Sequence, residues 1–204
     1  MPHKLKSSAR RSRRNKRLIA MGLVIAIAAI VGGAFIYRQL GASNKGSEPV
    51  KVLLQTSMGN ITIQLRNDMP ITSGNFENLV EQGVYDGTVF HRVVNDTTPY
   101  MIQGGDPTGT GMGDPSIPNI PDEFTSDNQN DRGTIAMANA GPNTGSSQFF
   151  INVRDNNYLD SAHPVFGRVI EGMDVVDAIS NVSRDQNDKP LVNVTIIVAE
   201  ILPQ

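Results

Sequence analysis

The sequence predicts a mainly β domain of the closed-barrel or sandwich class, with two α-helices, preceded by one N-terminal transmembrane helix. Three observations predict this fold class. Most apolar runs after residue 50 are short and separated by Gly, Pro, Asn and Asp, which is typical of antiparallel strands and turns. Two segments place apolar residues at helical spacing. One stretch, residues 18–37, is apolar and uncharged over twenty positions.

The N-terminal residues predict a membrane anchor. Residues 1–17 hold eight Lys/Arg and no acidic residue, and residues 18–37 are long enough for a helix to cross about 30 Å of hydrocarbon. The positive-inside rule then leaves the basic tail in the cytoplasm and places the remaining chain outside it. The alternative is a signal peptide cleaved near Gly41-Ala42-Ser43, which would give a secreted protein. The length of the apolar segment favours a retained anchor.

Residues 38–49 are small and polar, as in a linker, which leaves residues 50–204 as the folded domain. The domain opens with two runs, residues 50–56 and 61–65, that carry apolar residues at alternating positions. The turn-forming residues 58–60 lie between them. This pattern predicts a β-hairpin.

Two helices and further strands follow the hairpin. Thr72 or Ser73 is a suitable N-cap for a helix that Gly83 would end, and residues 171–179 predict a second, shorter helix. The other apolar runs, interrupted by turn residues, predict strands at residues 133–138, 148–153, 165–170 and 192–202. Many short strands with two helices favour a barrel or sandwich over a parallel sheet.

Composition excludes several classes of function. From residue 48 onward eight Lys/Arg face all twenty Asp/Glu, so we expect no nucleic-acid partner for the domain. The absence of cysteine excludes disulfides, thiol nucleophiles and zinc-thiolate sites. His3, His91 and His163 lie far apart, and residues 127–138 lack the glycine and glutamate of a calcium loop. We expect no metal and no cofactor.

Three segments crowd polar residues and glycine next to apolar ones, as binding sites do: residues 90–92, 101–106 and 137–150. An arginine and a glutamine inside strand-like runs, Arg92 and Gln103, need polar partners if they are partly buried. Alternation along a strand equally allows both side chains to point to solvent. The pattern alone leaves both interpretations open.

Five strings resemble, in order, the signature segments of the cyclophilin family of peptidyl-prolyl cis/trans isomerases: FHRVV (90–94), QGGD (103–106), MANAGPN (137–143), SQFFI (147–151) and VFG (165–167). The resemblance runs from about residue 50 to residue 202. It implies an eight-stranded antiparallel closed β-barrel capped by two helices. It also implies a monomeric enzyme of bacterial type that isomerises X-Pro bonds in exported or extracytoplasmic proteins.

The resemblance also implies roles for individual residues. Arg92 matches the catalytic arginine. The resemblance implies that further residues bind the substrate, by forming the pocket for the proline ring, the peptide groove and the rim of that groove. These residues are His91, Tyr100, Met101, Gln103, Ala138, Asn139, Gln148, Phe150, Tyr158, Leu159 and His163. For Phe90, Phe149 and Phe166 we expect core packing.

Two departures from the family pattern lie near the predicted pocket. Residues 95–99 form a link that is longer than usual, and Tyr100 stands where phenylalanine is common. Tyr158 replaces the tryptophan of the members most sensitive to ciclosporin, so we expect weak ciclosporin binding. Rival functions are a module that holds proline-containing segments with little turnover, and a hydrolase that uses Ser146 or Ser147 with a histidine.

Overall fold

The computed structural model describes residues 48–98 and 100–203. The predicted basic tail (1–17), spanning helix (18–37) and all but the last two linker residues lie outside the described residues. The described strands are β1 Lys51–Thr56, β2 Gly59–Leu65, β3 Arg92–Val94, β4 Met101–Gly104, β5 Thr134–Met137, β6 Phe149–Asn152, β7 Val165–Glu171 and β8 Ile196–Ile201. The mainly β class is confirmed.

The eight strands form one antiparallel sheet in the order β3-β4-β6-β5-β7-β2-β1-β8. The predicted hairpin is β1 paired with β2, with Lys51 opposite Gln64. On its other side β1 pairs with β8, where Val52 lies opposite Ile201. β8 is shorter than predicted, because Val192 lies outside the sheet and is largely exposed.

The sheet curls but does not close as predicted. In the described residues, β3 and β8 are the two ends of the ladder and are not paired with each other. Backbone hydrogen bonds instead join the segment before β3 to the start of β8 and the residues before it, for example from the Phe90 N–H to the Val194 carbonyl oxygen (2.9 Å) and from the Ile196 N–H to the Thr88 carbonyl oxygen (2.8 Å). The edge of β3 instead donates the Val93 N–H to the carbonyl oxygen of Asp188 (2.8 Å). The domain is a curled half-barrel, because a loop contacts the edge of β3 with which β8 would have to pair to close the barrel.

The first helix, α1, spans Pro70–Glu81 and begins before the predicted caps, Thr72 and Ser73. Proline suits the first turn because the N–H that it lacks would have no helical partner. The side chain of Glu123 supplies the cap, accepting a hydrogen bond from the Thr72 N–H (2.9 Å). Gly83 follows the helix with a left-handed φ of 69°, as its predicted role requires.

The second helix, α2, spans Met173–Ser180. It begins later than predicted because β7 runs on to Glu171 and Gly172 adopts a left-handed φ of 87° between them. Val176 and Ile179 are fully buried, so one face of this short helix packs into the core. The second predicted helix is confirmed in place, with shifted ends.

The core lies on the inner, concave face of the sheet and is aromatic at its centre. The Phe76 ring of α1 lies 5.5 Å from Phe149, edge to face, and 5.1 Å from Phe166. Tyr85 lies 5.0 Å from Phe76 and donates its hydroxyl to the Ser147 carbonyl oxygen (3.0 Å). These rings are buried, so solvent does not reach the inner face of the sheet at this point.

Candidate functional site

Four side chains form a row across the outer face of the sheet. Arg92 of β3 lies opposite Gln103 of β4, Gln103 opposite Phe150 of β6, and Phe150 opposite Ala136 of β5. Residues directly opposite each other in antiparallel strands point to the same face. Strand register therefore brings an arginine, an amide and an aromatic ring from distant parts of the chain side by side.

A second, smaller apolar cluster supports this row. It is separate from the main core and contains Val94, Met101, Ala136, Phe150 and Val165, with Ala138 and Leu159 at its edge. Its five main members are buried, whereas Ala138 and Leu159 at its edge are partly exposed. It forms the apolar floor of a cavity.

The cavity measures about 240 Å³. Eight of the residues predicted from the resemblance line it: Arg92, Met101, Gln103, Ala138, Asn139, Phe150, Leu159 and His163. Its floor is apolar and its rim carries one guanidinium, two amides and one imidazole. A small apolar ring attached to a peptide chain fits this combination.

Hydrogen bonds fix the wall opposite the arginine. The Nδ1 atom of His163 lies 3.0 Å from the Met137 carbonyl oxygen, which can only accept, so Nδ1 carries a proton. The His163 ring stands edge-on to Phe150 with 5.3 Å between centroids. The side-chain amide of Asn139 donates to the Ala162 carbonyl oxygen (2.7 Å). This wall is held in place before any substrate binds.

A chain of amides extends the site sideways. The Nε2 atom of Gln103 donates a hydrogen bond to Oε1 of Gln148 (3.0 Å), and the Nε2 atom of Gln148 donates one to the Gly111 carbonyl oxygen (3.1 Å). Gln148 lines a neighbouring cavity of about 540 Å³, and Gln103, Ala138 and Asn139 line both cavities. The two cavities therefore form one continuous groove, long enough for several residues of an extended chain.

A buried carboxylate organises the loop beside this groove. Asp106 accepts hydrogen bonds from the N–H groups of Thr108 (2.9 Å), Gly111 (2.7 Å) and Gly113 (3.2 Å). Burial would raise the pKa of Asp106, but these donors outweigh it and hold the pKa below its ordinary value. Asp106 thus remains charged and keeps the loop folded.

His91 lies under this loop rather than in the cavity. It is buried, and its Nδ1 atom has no hydrogen-bond partner among the described residues. Burial lowers the pKa of His91, although the charge of Asp106 opposes the shift. A neutral imidazole that packs against the Cα of Gly111 fits this position. The surroundings of His91 therefore indicate a role in packing rather than contact with a substrate.

Two further predicted residues lie away from the cavity. Tyr100 packs partly against the main core, with the Arg154 guanidinium 4.7 Å from its ring centroid. Tyr158 belongs to a 3₁₀-helix, Asn157–Leu159, and is 58% exposed. Of this short helix only Leu159 faces the cavity.

Arg92 has an ionic contact with Asp188, a residue that does not line the cavity. Its Nε atom lies 3.6 Å from a carboxylate oxygen of Asp188, whose other oxygen lies 3.5 Å from Nε of Arg184. Neither Asp188 nor Arg184 belongs to a string of the family resemblance, so the sequence did not single them out. The only local signal is the turn-forming pair Asn187-Asp188, which does not say what the turn contacts.

The arrangement can bind a chain and donate hydrogen bonds to it. Arg92 supplies a permanent positive charge, and the amides and the apolar floor supply positioning. In the described part of the chain, no group of three or more His, Asp or Glu side chains is placed to hold a metal ion. The chemistry of the site is that of an arginine beside an apolar pocket.

The family model "cyclophilin type peptidyl-prolyl cis-trans isomerase/CLD" matches residues 51–201. The chain belongs to this family. The match covers all eight strands and both described helices of this cyclophilin. The prediction that the chain is a peptidyl-prolyl cis/trans isomerase is thereby confirmed.

Proteins with similar sequences are named peptidyl-prolyl cis-trans isomerases. The peptidyl-prolyl cis-trans isomerase ppi1 of Schizosaccharomyces pombe is 46% identical over 155 residues, 74% of this chain and 98% of its own. The human peptidyl-prolyl cis-trans isomerase-like 1 is 44% identical over 156 residues, 74% of this chain and 92% of its own. A Cryptosporidium parvum cyclophilin crystallised in the presence of the dipeptide Ala-Pro superposes with a TM-score of 0.70 at 32% identity, covering 76% of this chain and 99% of its own.

These relatives correct the predicted localisation. They are eukaryotic and match almost their whole length to the isomerase domain, so the prediction of a single-pass membrane protein with an extracytoplasmic domain is wrong, and they give no support to the bacterial type. That localisation rested only on the length and flanking charge of residues 18–37, which the structure does not describe. Within residues 48–98 and 100–203, no helix has the length and apolar character that a bilayer crossing needs.

Proposed function

We propose that this cyclophilin isomerises X-Pro peptide bonds with Arg92 as its catalytic residue and the 240 Å³ cavity as its proline pocket. The observation that carries the proposal is the row Arg92–Gln103–Phe150, which places a guanidinium beside the apolar floor of the cavity. The substrates are proline-containing polypeptides in an extended conformation.

The reaction needs no covalent chemistry. Rotation about an X-Pro bond is slow because amide resonance sets a barrier of about 18–20 kcal/mol. In the twisted transition state the prolyl nitrogen becomes pyramidal and regains its lone pair. A guanidinium that donates a hydrogen bond to this nitrogen stabilises the twisted state more than the planar ones, and so lowers the barrier. Arginine suits the task because it stays charged and its donors are rigid.

The remaining cavity residues bind and orient the substrate. Met101, Phe150 and Leu159 contact the ring, because they form the apolar floor. The hydrogen-bonded wall of Asn139 and His163 limits movement of the chain on the opposite side. Because the pocket holds the proline ring and the groove binds the flanking chain, rotation is confined to the X-Pro peptide bond.

Gln103, Ala138 and Gln148 extend this contact along the groove. His91, Tyr100 and Tyr158 have a different role, since none of them lines the proline pocket. We propose that His91 supports the loop of residues 106–113, and that Tyr100 and Tyr158 form the outer rim. Weak ciclosporin binding also remains a proposal, supported by the exposed tyrosine at position 158.

Replacing Arg92 with alanine tests the proposal. We expect Arg92→Ala in the full chain to lower kcat/KM for a proline test peptide by about a hundredfold or more, the loss seen when one transition-state donor is removed. The assay is protease-coupled or by NMR exchange. The control is Arg168→Ala, which removes an exposed arginine on β7, outside the cavity.

The Arg92→Ala protein should unfold at the same temperature as the wild type, since the side chain is partly exposed. Near-normal turnover by Arg92→Ala would overturn the assignment. A wild-type chain that binds the peptide without accelerating its isomerisation would instead identify a holding module.

A further inference from the structure

The side chain of Arg92 makes an ionic contact with a residue that does not line the proline pocket. Its Nε atom lies 3.6 Å from Oδ2 of Asp188, and the two side chains are 42% and 31% exposed. The guanidinium carries three nitrogen atoms, and Nε is the one nearest the backbone. A carboxylate at Nε leaves the two terminal amino groups free for the pocket.

The backbone holds Asp188 firmly in this position. Asp188 adopts a left-handed φ of 63°, which is uncommon for a residue other than glycine. Its carbonyl oxygen accepts the Val93 N–H (2.8 Å), so the residue is bonded to β3 directly beside Arg92. The carboxylate of Asp185 closes the turn by accepting the N–H groups of Asn187 (2.8 Å) and Lys189 (3.0 Å).

A second arginine orients the carboxylate of Asp188. Nε of Arg184 lies 3.5 Å from Oδ1, the oxygen that does not face Arg92. Arg184 is itself bound by Asp96 at 2.6 Å and is the least exposed member of the group. The Asp188 carboxylate therefore lies between two guanidiniums, with one oxygen directed at each.

We propose that Asp188 is a positioning residue for Arg92: it restricts the guanidinium to the orientation in which its terminal amino groups face the proline pocket. The proposal rests on the catalytic role of Arg92 proposed above. A half-exposed arginine has many rotamers, and only those directed at the prolyl nitrogen are productive. An ionic contact at Nε selects among them before the substrate binds.

The expected effect is modest because the contact is partly exposed. Ion pairs of this kind contribute at most about 1 kcal/mol, which corresponds to about a fivefold change in rate. We therefore expect Asp188→Asn to lower kcat about fivefold with little change in KM for the peptide. Asparagine keeps the shape and tolerates the left-handed backbone, so the turn should survive.

A second variant and a matched control separate positioning from folding. Asp188→Gly removes the whole side chain at a backbone angle that glycine accepts, and should lower kcat at least as much. Asp68→Asn removes another carboxylate that engages an arginine Nε, that of Arg66 (2.9 Å), away from the pocket, and should leave kcat unchanged.

The decisive measurement is the mobility of Arg92 itself. NMR order parameters of the Arg92 Nε–H in the full chain should fall in Asp188→Asn and Asp188→Gly, and stay at the wild-type value in Asp68→Asn. Unchanged mobility or unchanged kcat in both Asp188 variants would overturn the positioning role. If Arg92→Ala also retains full turnover, the proposed function itself fails; if Arg92→Ala is inactive, only the positioning role is lost.

Discussion

Phe149 and Phe150 are neighbours in β6 that face opposite sides of the sheet, and the two sides differ in what they contain. Phe149 packs edge to face against Phe76 and Tyr85 in the fully covered main core. Phe150 belongs to the small outer cluster, touches His163 and lines the proline pocket. The inner face stabilises the fold, whereas the outer face remains open enough to bind a substrate.

The comparison shows how one strand serves both purposes. Successive side chains of a strand point to opposite faces, so a strand of this curled sheet presents one row to the main core and the other to the outer face. β4 follows the same rule, since Ile102 is buried inside while Met101 and Gln103 line the pocket. Changes in the two rows should therefore have separable effects.

The largest effect is expected from Phe149→Ala. Removing a fully buried aromatic ring costs about 3–5 kcal/mol of unfolding free energy, because the surrounding rings cannot fill the space. Urea denaturation followed by circular dichroism measures the loss. The fraction of the protein that remains folded should keep a near-normal kcat/KM. A loss of turnover in that folded fraction would contradict the separation of stability and binding between the two faces.

Phe150→Ala should have the reverse profile. Loss of the ring that forms the pocket floor should reduce kcat/KM for a proline peptide by about ten- to a hundredfold, as expected when a buried aromatic contact of about 1.5–3 kcal/mol is lost. The cost in unfolding free energy should be smaller than that of Phe149→Ala, since Phe150 belongs to the smaller cluster and one side of it lines a cavity. Equal destabilisation by both variants would contradict the distinction.

The smallest effect concerns His91, the neighbour of Arg92 on the opposite side of the chain. Burial lowers the pKa of His91, so below about pH 6.5 the unfolded state binds a proton before the folded state does. The contribution of neutral His91 to stability is complete above that pH and is lost as the pH falls below it. His91→Gln should therefore show a shallower loss of stability than the wild type as the pH falls below about 6.5.

Chemical denaturation at a series of pH values measures that slope. Asp106 does not interfere in this range, because its pKa lies below its ordinary value and its titration occurs at lower pH. An identical slope in the two proteins would mean that the pKa of His91 is the same in the folded and the unfolded chain, and hence that its burial is less complete than its position under the loop indicates.

The sequence predicted the elements and the pocket better than their surroundings. Hydrophobic alternation identified the β1–β2 hairpin, because that signal is local, and the family resemblance pointed to Arg92 and the other residues that line the cavity. The edge of β3 could not be predicted, since it depends on a hydrogen bond to Asp188, a residue nearly a hundred positions later. Long-range contacts of this kind leave no periodic pattern in the sequence.

The longer link at residues 95–99 illustrates the same limit. Its described part is tied down by a hydrogen bond from Asn95 to Asn181 (2.7 Å) and by the ion pair of Asp96 with Arg184. Both partners lie far away in the sequence. The sequence shows that the link is longer, but only the structure shows which residues hold it in place.

The pairing of β1 with β8 has a consequence for synthesis on the ribosome. Gln55 of β1 donates a side-chain hydrogen bond to Glu200 of β8 (3.0 Å) across 145 residues of chain. Until residues 196–201 have left the exit tunnel, β1 exposes an unpaired edge that could pair with other chains. The high contact order also slows folding once synthesis is complete. A nascent cyclophilin domain of this topology is thus itself exposed to misfolding until its last strand emerges.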